Sequence, residues 1–237
     1  MKYIPCEQGS EQWAKLRAGR PTASEMSKII TSQGKPSKQA QGYAIKLVTE
    51  ALLGQPLKGV TSTEWMERGR SLEDEAARQY AWEMDVELLP VGFFTDDLGR
   101  VGCSPDRLIK DVHAGVELKA PAPHTHVDYR LFGFGADYFC QVQCQLWVAE
   151  FEYVDLYSYC PDFPQLKPVR QRFERDEAFI AQMAAEVEKF LAMRDGLLER
   201  VRKDGLVTNR TIDGGPHHDD PDFVGKWLER NASRAEG

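Results

Sequence analysis

The sequence predicts an α/β fold in which helices gather around a central mixed β-sheet. Three observations lead to it: long stretches with apolar residues at helical spacing, short strand-like segments bounded by turn residues, and no internal repeat. The 237 residues are enough for one substantial core, and 42% hydrophobic with 28% charged residues excludes disordered, collagen-like and disulfide-scaffold classes.

Gln8 to Ala18 reads as a short helix built on Trp13 and Leu16 and closed by Gly19. Thr22-Ala-Ser-Glu25 has the form of a capping box before Met26, Ile29 and Ile30, which places a second helix start near Thr22 to Ser24. Ser32 to Lys38 is a loop, followed by a helix from Gly42 to Leu53 that ends at Gly54. From Ser62 to Met84, Trp65, Gly69, Leu72, Ala76 and Tyr80 fall on one face of a long helix. Val91 to Thr95, Val101 to Ile109 and Gly115 to Ala120 read as an antiparallel meander. A helix from Ala136 to Ala149, strands at Glu152 to Tyr159 and Lys167 to Phe173, and a helix from Asp176 to about Val201 complete the predicted domain, 1–202. Residues 203–237 form a polar tail, expected to be peripheral.

The net charge of −7 excludes a nucleic-acid binder held by bulk positive potential, so any DNA role must rest on local groups. Neither a signal-peptide pattern nor a run of about 20 apolar residues is present, and a cytoplasmic location with no membrane association is expected. Cys6, Cys103, Cys140, Cys144 and Cys160 lack CxxC spacing and are expected to be reduced thiols. His217-His-Asp-Asp220 looks like a metal cluster, but its Gly- and Pro-rich surroundings favour a solvated tail.

Chemistry concentrates in Ser104-Pro-Asp106 and Glu117-Leu-Lys119. If the strands are adjacent, Asp106 and Glu117 converge at the sheet edge, with Lys119 on the face of Glu117 and Leu118 buried opposite. Hard oxygen ligands of this kind suit Mg²⁺, and a partly buried lysine with a lowered pKa could orient or deprotonate a water. Together they match metal-assisted phosphodiester hydrolysis. Glu-x-Lys alone is far more often a solvated strand face.

Arg17 with Thr22 and Ser24 forms a second constellation: a helix N-terminus, hydroxyls and a guanidinium together suit a phosphate. Trp13 could stack on a base or pack in the core. On the helix from Ala136, Tyr138, Gln141 and Gln145 form a polar stripe opposite the apolar one.

In order and combination, several stretches resemble the phage lambda exonuclease (alkaline exonuclease) family of the PD-(D/E)xK nuclease superfamily. They are Glu11 to Gly19, Thr22 to Glu25, Arg68 to Ala76, Cys103 to Asp106, Gly115 to Lys119, Gln141 to Gln143 with Trp147 and Val148, and Glu174 to Glu177. The resemblance implies a restriction-endonuclease-like core and a Mg²⁺-dependent exonuclease that degrades the 5′-terminated strand of linear double-stranded DNA to mononucleotides, leaving 3′ overhangs for recombination. It implies metal ligation by Asp106, Glu117 and the Leu118 carbonyl, with two Mg²⁺ ions for which Mn²⁺ can substitute. It adds Glu73, Gln141 and Tyr138 to the catalytic centre. It makes Arg17, Ser24 and Thr22 a 5′-phosphate pocket, with Lys35 or Lys38 as a third basic group. Met66 takes the position of a wedge at the DNA end, although Met is also an ordinary core residue. It further implies a toroidal homotrimer threaded by DNA, a single-strand annealing partner and a phage or prophage origin. After Lys119 the chain departs from the family pattern, and His124 or Arg130 could supply the DNA contact there. A structure-specific or restriction-type endonuclease with the same centre, and a non-catalytic DNA-end binder, are the alternatives.

Overall fold

A computed structural model describes residues 1–57 and 64–203, with backbone alone at 64–67, 69, 70 and 137. The expected helix start at Ser62, the Met66 side chain and the tail beyond 203 with His217 to Asp220 therefore lie outside the described residues.

The N-terminal part comprises β1 (Lys2–Ile4), α1 (Glu11–Arg17), a 3₁₀ helix (Ala23–Lys28), α2 (Ala40–Leu53) and α3 (Glu64–Met84). Ser10 caps α1, its hydroxyl accepting the Trp13 N–H at 3.2 Å. Gly19 takes a left-handed φ of 69° where a side chain would meet Ala51, so this turn requires glycine. Then come β2 (Leu88–Leu89), β3 (Phe93–Thr95), β4 (Gly102–Cys103), β5 (Arg107–Ile109), β6 (Ala114–Lys119), α4 (Pro123–Phe132), α5 (Ala136–Val148), β7 (Tyr153–Ser158), β8 (Val169–Glu174) and α6 (Glu177–Lys203).

The main sheet has the order β2-β5-β6-β7-β8, and only β6 and β7 are parallel within it. Alternation divides β6 between two cores. Ala114, Val116 and Leu118 pack with Ala76, Ala77 and Tyr80 of α3, whereas Glu117 turns to the opposite face and reaches α5. That second face holds the larger core, in which Val154 and Leu156 meet Cys140, Val142 and Leu146 of α5 and Met183 and Val187 of α6. This is the expected mixed sheet with flanking helices.

The meander is corrected. Val101 to Ile109 is not one strand: β4 joins β1 and β3 in a separate antiparallel sheet, while β5 joins the main sheet. The break falls at Ser104-Pro105, where proline has no N–H to continue a ladder and the Ser104 hydroxyl donates to the Gly92 carbonyl at 2.6 Å. The capping box is corrected too. Thr22 makes no side-chain cap, and the element after it is a 3₁₀ helix of six residues. Thr22 instead forms a parallel bridge with Gly102, and Glu25 pairs with Lys28 rather than reaching back. Helix α4 escaped the sequence reading because its apolar residues follow no helical stripe: His126 and Tyr129 are buried, but Leu131 and Phe132 are exposed. Pro123 sits in its first turn, where the missing N–H costs nothing. Among the described residues none of the five cysteines is in a disulfide, and four of them are buried.

Asp155 anchors β8 and α3 to β7. Its buried carboxylate accepts from Arg172 at 2.9 and 3.0 Å, Arg170 at 3.1 Å and the Tyr80 hydroxyl at 2.7 Å. Burial pushes this carboxyl up, but the bonds from Arg172 and Tyr80 outweigh that and hold it below its ordinary value. Its stabilising contribution is therefore complete above the unfolded-state pKa of about 3.9 and is lost as pH falls through the depressed folded value. Asp155→Asn should cost about 3 kcal/mol at neutral pH in urea unfolding, with the gap to wild type closing in strong acid.

Candidate active site

The β5–β6 register pairs Arg107 with Val116 and Leu108 with Gly115, which brings Asp106 level with Glu117. The Asp106 amide donates to the Val116 carbonyl at 3.1 Å, and Asp106 Oδ2 accepts the Leu118 N–H at 2.6 Å. The two carboxylates thus meet as predicted. They meet at the C-terminal end of the central strand rather than at a lateral sheet edge. Leu118 is buried toward α3, opposite Glu117, also as predicted.

Glu117 is 5% exposed and surrounded by donors. Lys119 Nζ and Gln141 Nε2 each lie 2.7 Å from Oε1, and Gln145 Nε2 lies 2.7 Å from Oε2. One turn of α5 separates the glutamines, so both reach the same carboxylate. Gln141, which the resemblance adds to the catalytic centre, has Glu117 as its partner. Lys119 also stands 5.1 Å from the centre of the Tyr138 ring, whose hydroxyl meets that of Tyr129 at 2.9 Å.

Burial first, then the charge of Glu117, pushes the Asp106 carboxyl well above the carboxylate range, with Lys119 and the Leu118 N–H opposing. The lowered lysine pKa is corrected. Burial pulls the Lys119 ammonium down, but Glu117 and Asp106 prevail and hold it above its ordinary value.

Glu73 lies beside this centre and adds to the field that raises Asp106, but its carboxylate is engaged by Arg107 at 2.6 Å. Arg107 also donates to the Asp106 carbonyl at 2.6 Å and to Asp74 at 2.6 Å. Arg107 was not among the expected site residues, although it directly follows Asp106 in the chain.

The Arg17 guanidinium donates to Ser24 Oγ at 3.1 Å and Thr22 Oγ1 at 3.4 Å, and it lies 4.4 Å from the centre of the Trp13 ring. The Trp13 indole in turn donates to Ser104 Oγ at 3.1 Å, two residues before Asp106. Burial lowers the Arg17 pKa, while surrounding acids that include Glu117 work against that. The expected trio is therefore together, next to the carboxylate pair. Its attraction for an anion comes from the guanidinium and hydroxyls, since the six-residue 3₁₀ helix replaces the helix N-terminus. Ser104 thereby joins Trp13 to the segment that carries Asp106. Lys35, Lys38, His124 and Arg130 are all exposed, and none is hydrogen-bonded to the Arg17 cluster.

A divalent cation fits these residues chemically. Asp106, Glu117 and a backbone carbonyl at Leu118 are hard oxygen donors, and a cation would offset both the burial and the like charge of Glu117 that raise Asp106. Among the described residues no group of three or more His, Cys, Asp or Glu forms a metal cluster. Magnesium keeps several waters and needs only one or two carboxylates from protein.

The model of the YqaJ-like viral recombinase domain matches residues 12–152. The alkaline exonuclease LHK-Exo from Laribacter hongkongensis superposes with a TM-score of 0.75 at 28% identity, covering 83% of this chain and 98% of that one. The same enzyme in complex with dAMP gives 0.74 at 28% identity and the same coverage. A phage-related exonuclease from Haemophilus somnus shares the fold at 14% identity and a TM-score of 0.63, over 77% of this chain and 96% of that one. No curated protein matches the sequence.

Proposed function

The chain belongs to the YqaJ-like viral recombinase domain family and has the fold of an alkaline exonuclease; on that premise we propose that it is a Mg²⁺-dependent exonuclease acting 5′ to 3′ on linear double-stranded DNA. It releases mononucleotides and leaves 3′ single strands for recombination. The observation that carries this reading is the Asp106–Glu117–Lys119 cluster, at the entrance to β5 and on β6, with the Arg17–Ser24–Thr22 cluster beside it. The complex of the Laribacter enzyme with dAMP supports it, because a nucleoside monophosphate is what stepwise hydrolysis from an end releases.

Asp106, Glu117 and the Leu118 carbonyl would hold the metal, two Mg²⁺ ions in the full proposal, with Mn²⁺ able to substitute. Bound there, Mg²⁺ offsets charge on the phosphate oxygens and acidifies a water. Lys119, anchored on Glu117 and lying over Tyr138, orients the attacking water toward the scissile phosphate. Gln141 keeps Glu117 from rotating. Arg17, Ser24 and Thr22 grip a terminal 5′-phosphate, which selects an end over an internal site and sets the register of cleavage. Trp13 and Ser104 join this grip to the segment that carries Asp106. The proposed working form is a homotrimeric ring around DNA, acting with a single-strand annealing protein in a bacterial host.

Lys119→Ala should fold but lose about 10³-fold in hydrolysis of linear duplex. Full activity would remove the catalytic assignment, and cleavage of covalently closed circular duplex by the wild type would favour an endonuclease. The wild type should prefer 5′-phosphorylated over 5′-hydroxyl ends by at least about tenfold, and Arg17→Ala should abolish that preference, as end-labelled duplexes would report.

A further inference from the structure

We propose that Gln145 is a positioning residue that aims one oxygen of Glu117, Oε2, at the divalent cation. The inference rests on the reading of Glu117 as a metal ligand. A carboxylate oxygen has room for about two partners. Oε1 already has both, from Lys119 and Gln141 at 2.7 Å each. Among the described residues Oε2 has one, from Gln145 at 2.7 Å, and so keeps one lone pair for a cation. Glu117 thereby becomes a one-oxygen ligand whose direction is set by an amide on α5.

The state of Gln145 itself supports a positioning role. It is 1% exposed, and a contact of 2.7 Å to a carboxylate oxygen requires its NH₂ end to face Glu117. In that orientation its own Oε1 is buried with no hydrogen-bond partner among the described residues. The amide is thus oriented to serve Glu117 while one of its own bonds goes unmade, an arrangement more typical of a site than of a core. Groups that orient a metal ligand in this way commonly change affinity by about tenfold to a hundredfold when removed.

The test is titration of the purified, metal-free protein with Mn²⁺, with free ion measured by electron paramagnetic resonance, alongside the Mg²⁺ dependence of nuclease rate. Gln145→Met keeps length and bulk but loses the donor. It should bind Mn²⁺ about tenfold to a hundredfold more weakly and need correspondingly more Mg²⁺ for half-maximal rate, with the rate at saturating metal within a few-fold of wild type. Glu117→Gln should abolish the binding. If Gln145→Met does not fold, Gln145→Asn, which withdraws the amide by one methylene, should weaken binding in the same direction. A wild type that binds no Mn²⁺ would remove the metal-centre reading and this inference with it. A wild type that binds Mn²⁺, with a folded Gln145 variant binding it equally well, would overturn this inference alone.

Discussion

A charged carboxylate shut between a sheet and a helix must be given donors, and the surroundings of Glu117 answer that demand. A buried charge without partners costs several kcal/mol, so the strand that carries Glu117 and the helix that covers it have to agree in register and rotation. The parallel β6–β7 pair, which needs a crossover connection, brings α5 over that face of the sheet. On it, Gln141 and Gln145 lie one turn apart and meet the two oxygens separately. Lys119, two residues along the same strand face, completes the shell. Had the strand slipped by one residue, Leu118 would face the glutamines and Glu117 would enter the apolar core against α3.

The second constraint is the break between β4 and β5. Because the chain leaves the small sheet at Ser104-Pro105 and enters the large one at Arg107, Asp106 sits at a corner, reached by the Leu118 N–H and by the field of Glu117. The same corner joins the Arg17 cluster to the carboxylates, through the bond from Trp13 to Ser104. Arg17 thus belongs to the same neighbourhood as Glu117, although a hundred positions separate them in the chain. The overall charge of −7 fits this arrangement, since cationic groups need only be local while part of the acidity forms the centre itself.

Much of this was legible in the residues. Spacing placed α2, α5, β7 and α6 to within a few positions, because each carries a strong period or a turn residue at its end, such as the left-handed Gly54 after α2. Alternation along Gly115 to Lys119 placed Glu117 and Lys119 on one face and Leu118 on the other. What escaped lacked a local signature. β1 and β2 are too short for a period to show, and α4 has no apolar stripe. The capping box at Thr22 misled because the same residues can start an α-helix or, once Thr22 pairs with Gly102, a brief 3₁₀ turn.

Residue identity and order thus settled the fold class, the acidic pair with its lysine, and the polar stripe of α5. These depend on local periods and on chemistry that a side chain carries wherever it is placed. Only the folded chain decided which partner each group would have: Glu73 with Arg107, Gln141 and Gln145 with Glu117, Trp13 with Ser104. It also reversed the expected pKa of Lys119. A pKa is a balance between burial and neighbouring charge, and the distances that set that balance arise from contacts far apart in sequence.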